Sequence, residues 1–217
     1  IGMAVADLNE IMPWISQRVV SYKVKPQPDR PDFARVRYAE LQKNLRTLGL
    51  LGDKHIPLVY LRASRGQRTA LLQGLMDTDG TADTRGQCEI GLSRESLISD
   101  VHELLSSLGI KCTIRSKKPP ARARHLGSSF RIKFVAPFPV FRLSRKLARQ
   151  KLLGLRPPTR RRYVTRVAEI AHRDMRCLQV GNADGMYLVG RSMIPTHNSQ
   201  LIRFLVTIIA QLWPGSN

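Results

Sequence analysis

Two rhythms of apolar residues run along this chain. A helical rhythm, with apolar positions at i, i+3 and i+4, marks short amphipathic helices at Ala6–Met12 and Glu95–Leu108. Each is followed by a strand-like run, "RVVSYKV" (Arg18–Val24) and "IKCTIRS" (Ile110–Ser116). An apolar helix is expected within "ALLQGLMDTDGTAD" (Ala70–Asp83), strands at Cys88–Ser93 and Ser129–Val135, and a helix at Phe141–Leu153. A Pro- and Arg-rich linker, Gly154–Arg162, then interrupts the pattern. Beyond it, alternation over Tyr163–Val180 predicts strands, "NADG" (Asn182–Gly185) a turn, and Met186–Gly190 another strand. Ser199–Asn217 reads as an apolar helix ended by Pro214-Gly215. The class expected is α+β.

Part of this pattern occurs twice. "ADLNEIM" (Ala6–Met12) aligns with "SDVHELL" (Ser99–Leu105) at an offset of 93 residues, matching Asp7 to Asp100 and Glu10 to Glu103. The same order of helix and strand follows in both places, which points to a duplicated half-domain. The second copy has Ala70–Asp83 in front of it. The counterpart of that segment would precede residue 1, so the first copy is expected to be truncated and the chain to be a fragment.

Charge sharpens the picture. The 217 residues carry 36 Lys or Arg against 16 Asp or Glu, a formal net charge of +20. Lys111 to Arg166 holds 18 basic residues and no acid. Such a run favours a polyanionic partner, DNA or RNA, over a merely solvated face. Three cysteines, Cys88, Cys112 and Cys177, make no disulfide framework, so a reducing cytoplasm is expected. The longest apolar stretch, Leu201–Trp213, contains Arg203 and is too short to span a bilayer, so no membrane partner is expected.

The stretch "LQGLMDTDG" (Leu72–Gly80) ends an apolar helix with two acids and a Gly suited to a C-cap. Acids are unfavourable at a helix C-terminus, so a compensating cation is expected, and a hard ion such as Mg²⁺ binds through carboxylates and water. Gly74 inside the helix costs about 1 kcal/mol against Ala, which a close helix–helix approach would offset. The stretch resembles the LAGLIDADG motif of homing endonucleases, and the flanking order resembles that family's αββαββα half-domain. The resemblance implies a double-stranded DNA substrate, a saddle-shaped sheet that reads it, and two motif helices each delivering an acid to Mg²⁺. Asp79 matches the metal-binding acid. Asp77 matches a position the family does not usually use for metal. "DKHIP" (Asp53–Pro57) resembles the block before the second motif, which gives Lys54 a tentative endonuclease role. With one motif present, either the first lies in a lost N-terminal segment, which the repeat favours, or two chains pair, and weak or absent double-strand cleavage is expected of this chain.

"MIPTHNS" (Met193–Ser199) brings a second chemistry. An Asn side-chain amide can close on its own carbonyl as a succinimide and cut the chain after itself. A neighbouring His can polarise that carbonyl and protonate the leaving amine, and a following Ser can first accept an acyl group. His197, Asn198 and Ser199 supply these parts in order. Residues 163–199 resemble the C-terminal splicing blocks of inteins, "MRCLQV" and "ADGMYLVG" the penultimate and "MIPTHNS" the final one. The resemblance implies the closing β-strands of an all-β Hint splicing domain, with Asn198 the last intein residue and Ser199 the first of the host. Cys177 and Thr196 match a subclass in which that Cys attacks the upstream junction and passes the acyl group to Ser199. Splicing needs no cofactor, but it needs the upstream intein half and its host segment. No His lies between Leu178 and Thr196, where many inteins carry one.

The organisation expected is therefore an endonuclease region at 1–153 (a remnant of the first half at 1–50, the second half at 51–153), a linker at 154–162, a splicing region at 163–198 and a host segment at 199–217. A Ser opening a helix fits the end of a phosphate-binding loop, so the host would be an ATPase such as a phage terminase or a helicase, in the cytoplasm of a bacterial or phage-infected cell. The alternatives are a freestanding LAGLIDADG endonuclease and a derived DNA- or RNA-binding protein without splicing activity.

Overall fold

The computed structural model describes residues 2–16, 22–38, 41–117, 129–150, 162–172, 174, 178 and 180–197. The chain divides into two units, residues 1–158 and 159–217.

The first unit opens with β1 (Gly2–Ala4), α1 (Val5–Ser16), β2 (Tyr22–Gln27), β3 (Arg30–Tyr38) and α2 (Leu41–Thr47). Its strands form an antiparallel sheet in the order β1-β3-β2. Leu8 of α1 packs on Ala34 and Val36 of β3, with Met12 and Tyr38 at the margin.

The chain continues through α3 (Leu58–Leu61), α4 (Arg65–Asp79), β4 (Gly80–Ala82), β5 (Cys88–Leu92) and α5 (Glu95–Ser107). Then come β6 (Cys112–Lys117), β7 (Ser129–Phe134) and α6 (Ser144–Leu147). This sheet is antiparallel in the order β4-β5-β7-β6. The order β1-β3-β2 with α1 reproduces β5-β7-β6 with α5, so the 93-residue sequence repeat is also a repeat of topology. Among the described residues, α4 and β4 have no counterpart in the first copy.

Alternation builds the larger core. Cys88 and Ile90 of β5 and Ile132 and Phe134 of β7 point inward and are buried. They share one cluster with Ile98, Val101, Leu104 and Leu105 of α5 and with Leu72 and Met76 of α4. Each such side chain contributes about 1.5–3 kcal/mol on burial. α4 starts at a capping box: Gln67 N donates to Ser64 Oγ at 3.3 Å, and Ser64 N donates to Gln67 Oε1 at 3.1 Å.

Several expectations change. β3 was not anticipated, although "ARVRY" alternates from Ala34 to Tyr38. Of the helix expected at Phe141–Leu153, the described residues up to 150 form only the four residues of α6, and 151–153 lie outside them. Its leading backbone N–H groups are taken by acids, Arg142 and Leu143 by Asp77 and Ser144 by Glu10, while Phe141 and Leu143 are buried. Gly80 follows α4 in an extended conformation, φ −86° and ψ 155°, so it is not a left-handed cap. It is glycine for proximity, since a Cβ there would lie 2.7 Å from the Met76 backbone.

In the second unit, β8 (Met186–Val189) and β9 (Ile194–His197) form an antiparallel hairpin pairing Met186 with His197 and Tyr187 with Thr196. The strands expected over 163–180 do not form among the described residues. Val164, Val167 and Ile170 there are exposed, with no sheet face beneath them. The helix expected from Ser199 lies outside the described residues.

Candidate nucleic-acid interface and catalytic residues

Strand geometry sorts the charges of the first sheet. Ala34 and Val36 face the core, so Arg35 and Arg37 face away, and both are exposed. The register sets Lys25 opposite Arg35 and Lys23 opposite Arg37, all four exposed. Like charges directly opposite each other destabilise a sheet. This face is therefore built against its own stability and suits a polyanion. The second sheet is partly neutralised, because Glu89 on β5 holds Arg131 at 3.2 Å and Lys133 at 3.0 Å on β7.

The two acids of α4 have separate surroundings. Asp77 accepts hydrogen bonds from Arg142 N at 3.0 Å and Leu143 N at 3.2 Å. Burial pushes its pKa up, against the pull of those two N–H groups. It is a structural acid that fixes the entry to α6. Asp79 is exposed, with a long 3.4 Å contact from Thr78 Oγ1 to its Oδ2. Its carboxylate is open to a cation.

The compensating cation that the helix end requires is present in the chain itself. Lys146 Nζ donates to the carbonyls of Asp77 and Gly80 at 2.7 Å and Met76 at 3.0 Å, with Thr78 O at 3.5 Å. These carbonyls cluster at the negative end of the α4 dipole, and the Met76 oxygen also accepts from Gly80 N. Burial, aided by nearby Arg145, pulls the Lys146 pKa down. Sequence reasoning missed Lys146, because nothing local in "SRKL" announces a partner seventy residues upstream.

The segment carrying Lys146 also grips α1. Arg145 makes a bidentate pair with buried Asp7, both contacts 2.6 Å, which holds the Asp7 carboxyl below its usual pKa. Glu10 accepts from Ser144 N at 2.8 Å and Ser144 Oγ at 2.7 Å. In the second copy, the matching Asp100 accepts from Ile56 N at 3.0 Å, and Glu103 pairs with Arg62 at 2.7 Å. The repeated acids thus do repeated work: each pair anchors a segment beside its helix. Lys54 is exposed in the stretch that Asp100 anchors, which is also held where Arg94 reaches Gly52 O and Asp53. Gly74 makes no close helix contact, since a Cβ there would meet nothing within 4 Å. It lines an open cavity of about 200 Å³ with Ile11, Trp14, Thr78 and Arg142, and the Arg142 guanidinium lies 4.8 Å from the Trp14 ring centre.

Among the described residues no cluster of three metal-ligating side chains occurs. Asp79 offers one carboxylate, which fits a divalent ion that draws its other ligands from water and phosphate. Burial pushes the Cys88 thiol up to about 12, so it is no nucleophile. His197 and Thr196 lie on β9, both half-buried. Cys177, Asn198 and Ser199 lie outside the described residues.

Residues 66–135 match the family profile of the LAGLIDADG-like domain. A replicative DNA helicase DnaB from Mycobacterium intracellulare is 38% identical over 163 residues, covering 74% of this chain. The chain spans only 28% of that helicase's length. Mesophilic variants of the homing endonuclease I-DmoI align at TM-score 0.43 and 16% identity, over 62% of this chain and 70% of theirs. I-DmoI in complex with DNA and Ca aligns at TM-score 0.46 and 16% identity, over 68% and 79%.

Proposed function

We propose that this chain is the C-terminal portion of an intein carrying a LAGLIDADG-type homing endonuclease, and that its host is a replicative helicase. The observation that carries the DNA-binding half is the first sheet's outward face, with Lys23, Lys25, Arg35 and Arg37 in opposed like-charge pairs. Asp79 is the acid of the cleavage site, at the end of a helix whose other acid, Asp77, is consumed in holding α6. Asp79 would hold Mg²⁺, which would neutralise charge on the scissile phosphate. Cutting both strands takes two such acids, the second from a first motif upstream or from a paired chain, so weak or absent double-strand cleavage is expected of this chain by itself. Lys54 is the second candidate in the cleavage reaction.

The splicing half is supported by "THNS" at the end of the hairpin strand and by the helicase relative, a protein unrelated in function to a nuclease motif. Cys177 attacks the carbonyl of the upstream junction, the C–N bond breaks, the amine of the intein's first residue leaves with the thiol proton, and the host acyl group is held as a thioester. The acyl group passes to the Ser199 hydroxyl, regenerating the thiol, and once the Ser199 amine is freed it moves from that oxygen to the amine as a peptide bond. Asn198 then closes to a succinimide, with His197 protonating the departing Ser199 amine. Thr196 flanks His197 on the same strand.

Duplex binding by the 217-residue chain tests the first half, read by mobility shift against salt. Affinity that does not fall with salt would remove DNA as the partner. Replacing Cys177 with Ala in the protein restored upstream tests the splicing route, and normal splicing there would remove Cys177 as nucleophile.

A further inference from the structure

The turn before β8 is wired more heavily than a chain reversal needs. Asn182 Nδ2 donates to Asp184 Oδ1 at 2.6 Å and to Met186 O at 2.7 Å. Asp184 Oδ1 also accepts from Met186 N at 3.0 Å, and Gly185 N donates to Asn182 O at 3.1 Å. Met186 is the cross-strand partner of His197. The turn is thereby fixed to the strand that carries the imidazole.

Gly185 lies at φ +61°, where Asn would also be accommodated. A second constraint is stricter. A Cβ at position 185 would fall 2.9 Å from His197 Nε2, 3.4 Å from Cδ2 and 3.6 Å from Cε1. The imidazole occupies the space a side chain would need, so contact, and not backbone conformation, selects glycine.

We propose that the Asn182–Gly185 turn is a seat for the His197 imidazole, and that Gly185 and Asp184 are positioning residues for chain scission at Asn198. This rests on the splicing reading of His197. A general acid must be held within hydrogen-bond reach of its target, and a surface imidazole on a strand end has several rotamers open to it. The missing side chain at 185 leaves room for the ring where it lies, and the braced turn keeps that room in place.

The test has two arms. In the 217-residue chain, NMR reads the contact between the Gly185 α-protons and the His197 ring, together with the ring's shifts and titration. In the protein with its upstream half restored, mass spectrometry reads the rate of scission after Asn198. Gly185→Asn keeps the positive φ but adds the Cβ, and is expected to displace the ring resonances and slow scission tenfold or more. Gly181→Asn is the control, because a Cβ there meets nothing within 4 Å. Asp184→Ala is expected to slow scission, and Asp184→Asn, which keeps the accepting oxygen, to restore it. Ring resonances unchanged in Gly185→Asn would overturn the seat. A displaced ring with native scission would overturn the positioning role. Absence of scission in the native restored protein would overturn the splicing reading, and the proposal with it, whatever the ring does.

Discussion

Neutralising two of the four opposed charges on the first sheet, by Arg35→Gln with Arg37→Gln, should move stability and DNA affinity in opposite directions. In the free protein each substitution removes a like-charge cross-strand pair, Arg35 with Lys25 and Arg37 with Lys23. Such pairs cost about 0.2–1 kcal/mol each, so the double variant should be unchanged or up to about 2 kcal/mol more stable. On DNA the sign reverses. Each phosphate contact contributes about 0.9 to the slope of log affinity on log salt, so four contacts give about −3.6 and two give about −1.8. Between 50 and 200 mM salt the native chain should then lose about 150-fold in affinity and the variant about 12-fold. The assay is fluorescence anisotropy with a labelled duplex across that salt range, with urea melts of the same samples. An unchanged salt slope, or a variant less stable by more than about 1 kcal/mol, would refute the reasoning, because these side chains would then be supporting the fold.

Lys146→Met removes the ammonium from the three nearest carbonyls at the end of α4 and should cost about 2–4 kcal/mol, read as a fall in Tm, whereas a loss below about 0.5 kcal/mol would remove Lys146 as the cap. Asp7→Asn weakens a charge-assisted pair whose Arg145 side is exposed and should cost about 1.5–3 kcal/mol near neutral pH. The native Asp7 pKa is depressed below 3.8, so its stabilisation is fully present above that value and is lost as pH falls through the folded pKa. The melts of the two proteins should therefore converge in acid, and a gap that persists there would reject the ion pair as its cause. Gly80→Ala drives a Cβ to 2.5 Å from Met76 Cε and 2.7 Å from the Met76 backbone, so a loss of about 1–3 kcal/mol is expected in chemical melts.

Local patterns carried the sequence reading well and long-range partners carried it badly. The match of Asp7 to Asp100 and Glu10 to Glu103 was visible as letters, and the equal strand orders give it a structural basis. The motif resemblance sets Asp77 apart from Asp79, and their surroundings also differ: Asp77 accepts from two backbone N–H groups and Asp79 is exposed. The helix end demands positive charge, which in the sequence points to a metal. At the backbone carbonyls Lys146 supplies it, and no local pattern links Lys146 to Met76, while the exposed Asp79 carboxylate stays open to a divalent ion. The helix expected after Phe141 failed for the same reason, since Asp77 and Glu10 claim its first N–H groups from distant segments. β3 and the Ser64–Gln67 capping box were legible in "ARVRY" and "SRGQ" and were passed over. Over 163–180 the alternation was real, but it could not say whether a sheet was present to receive it.

The splicing claim is tested most directly by the intact masses produced when the complete coding segment is expressed. The expected products are a released species ending at Asn198 as a succinimide, and a host product in which Ser199 is joined to the upstream segment. A single unprocessed chain with the Asn198–Ser199 bond intact would contradict it.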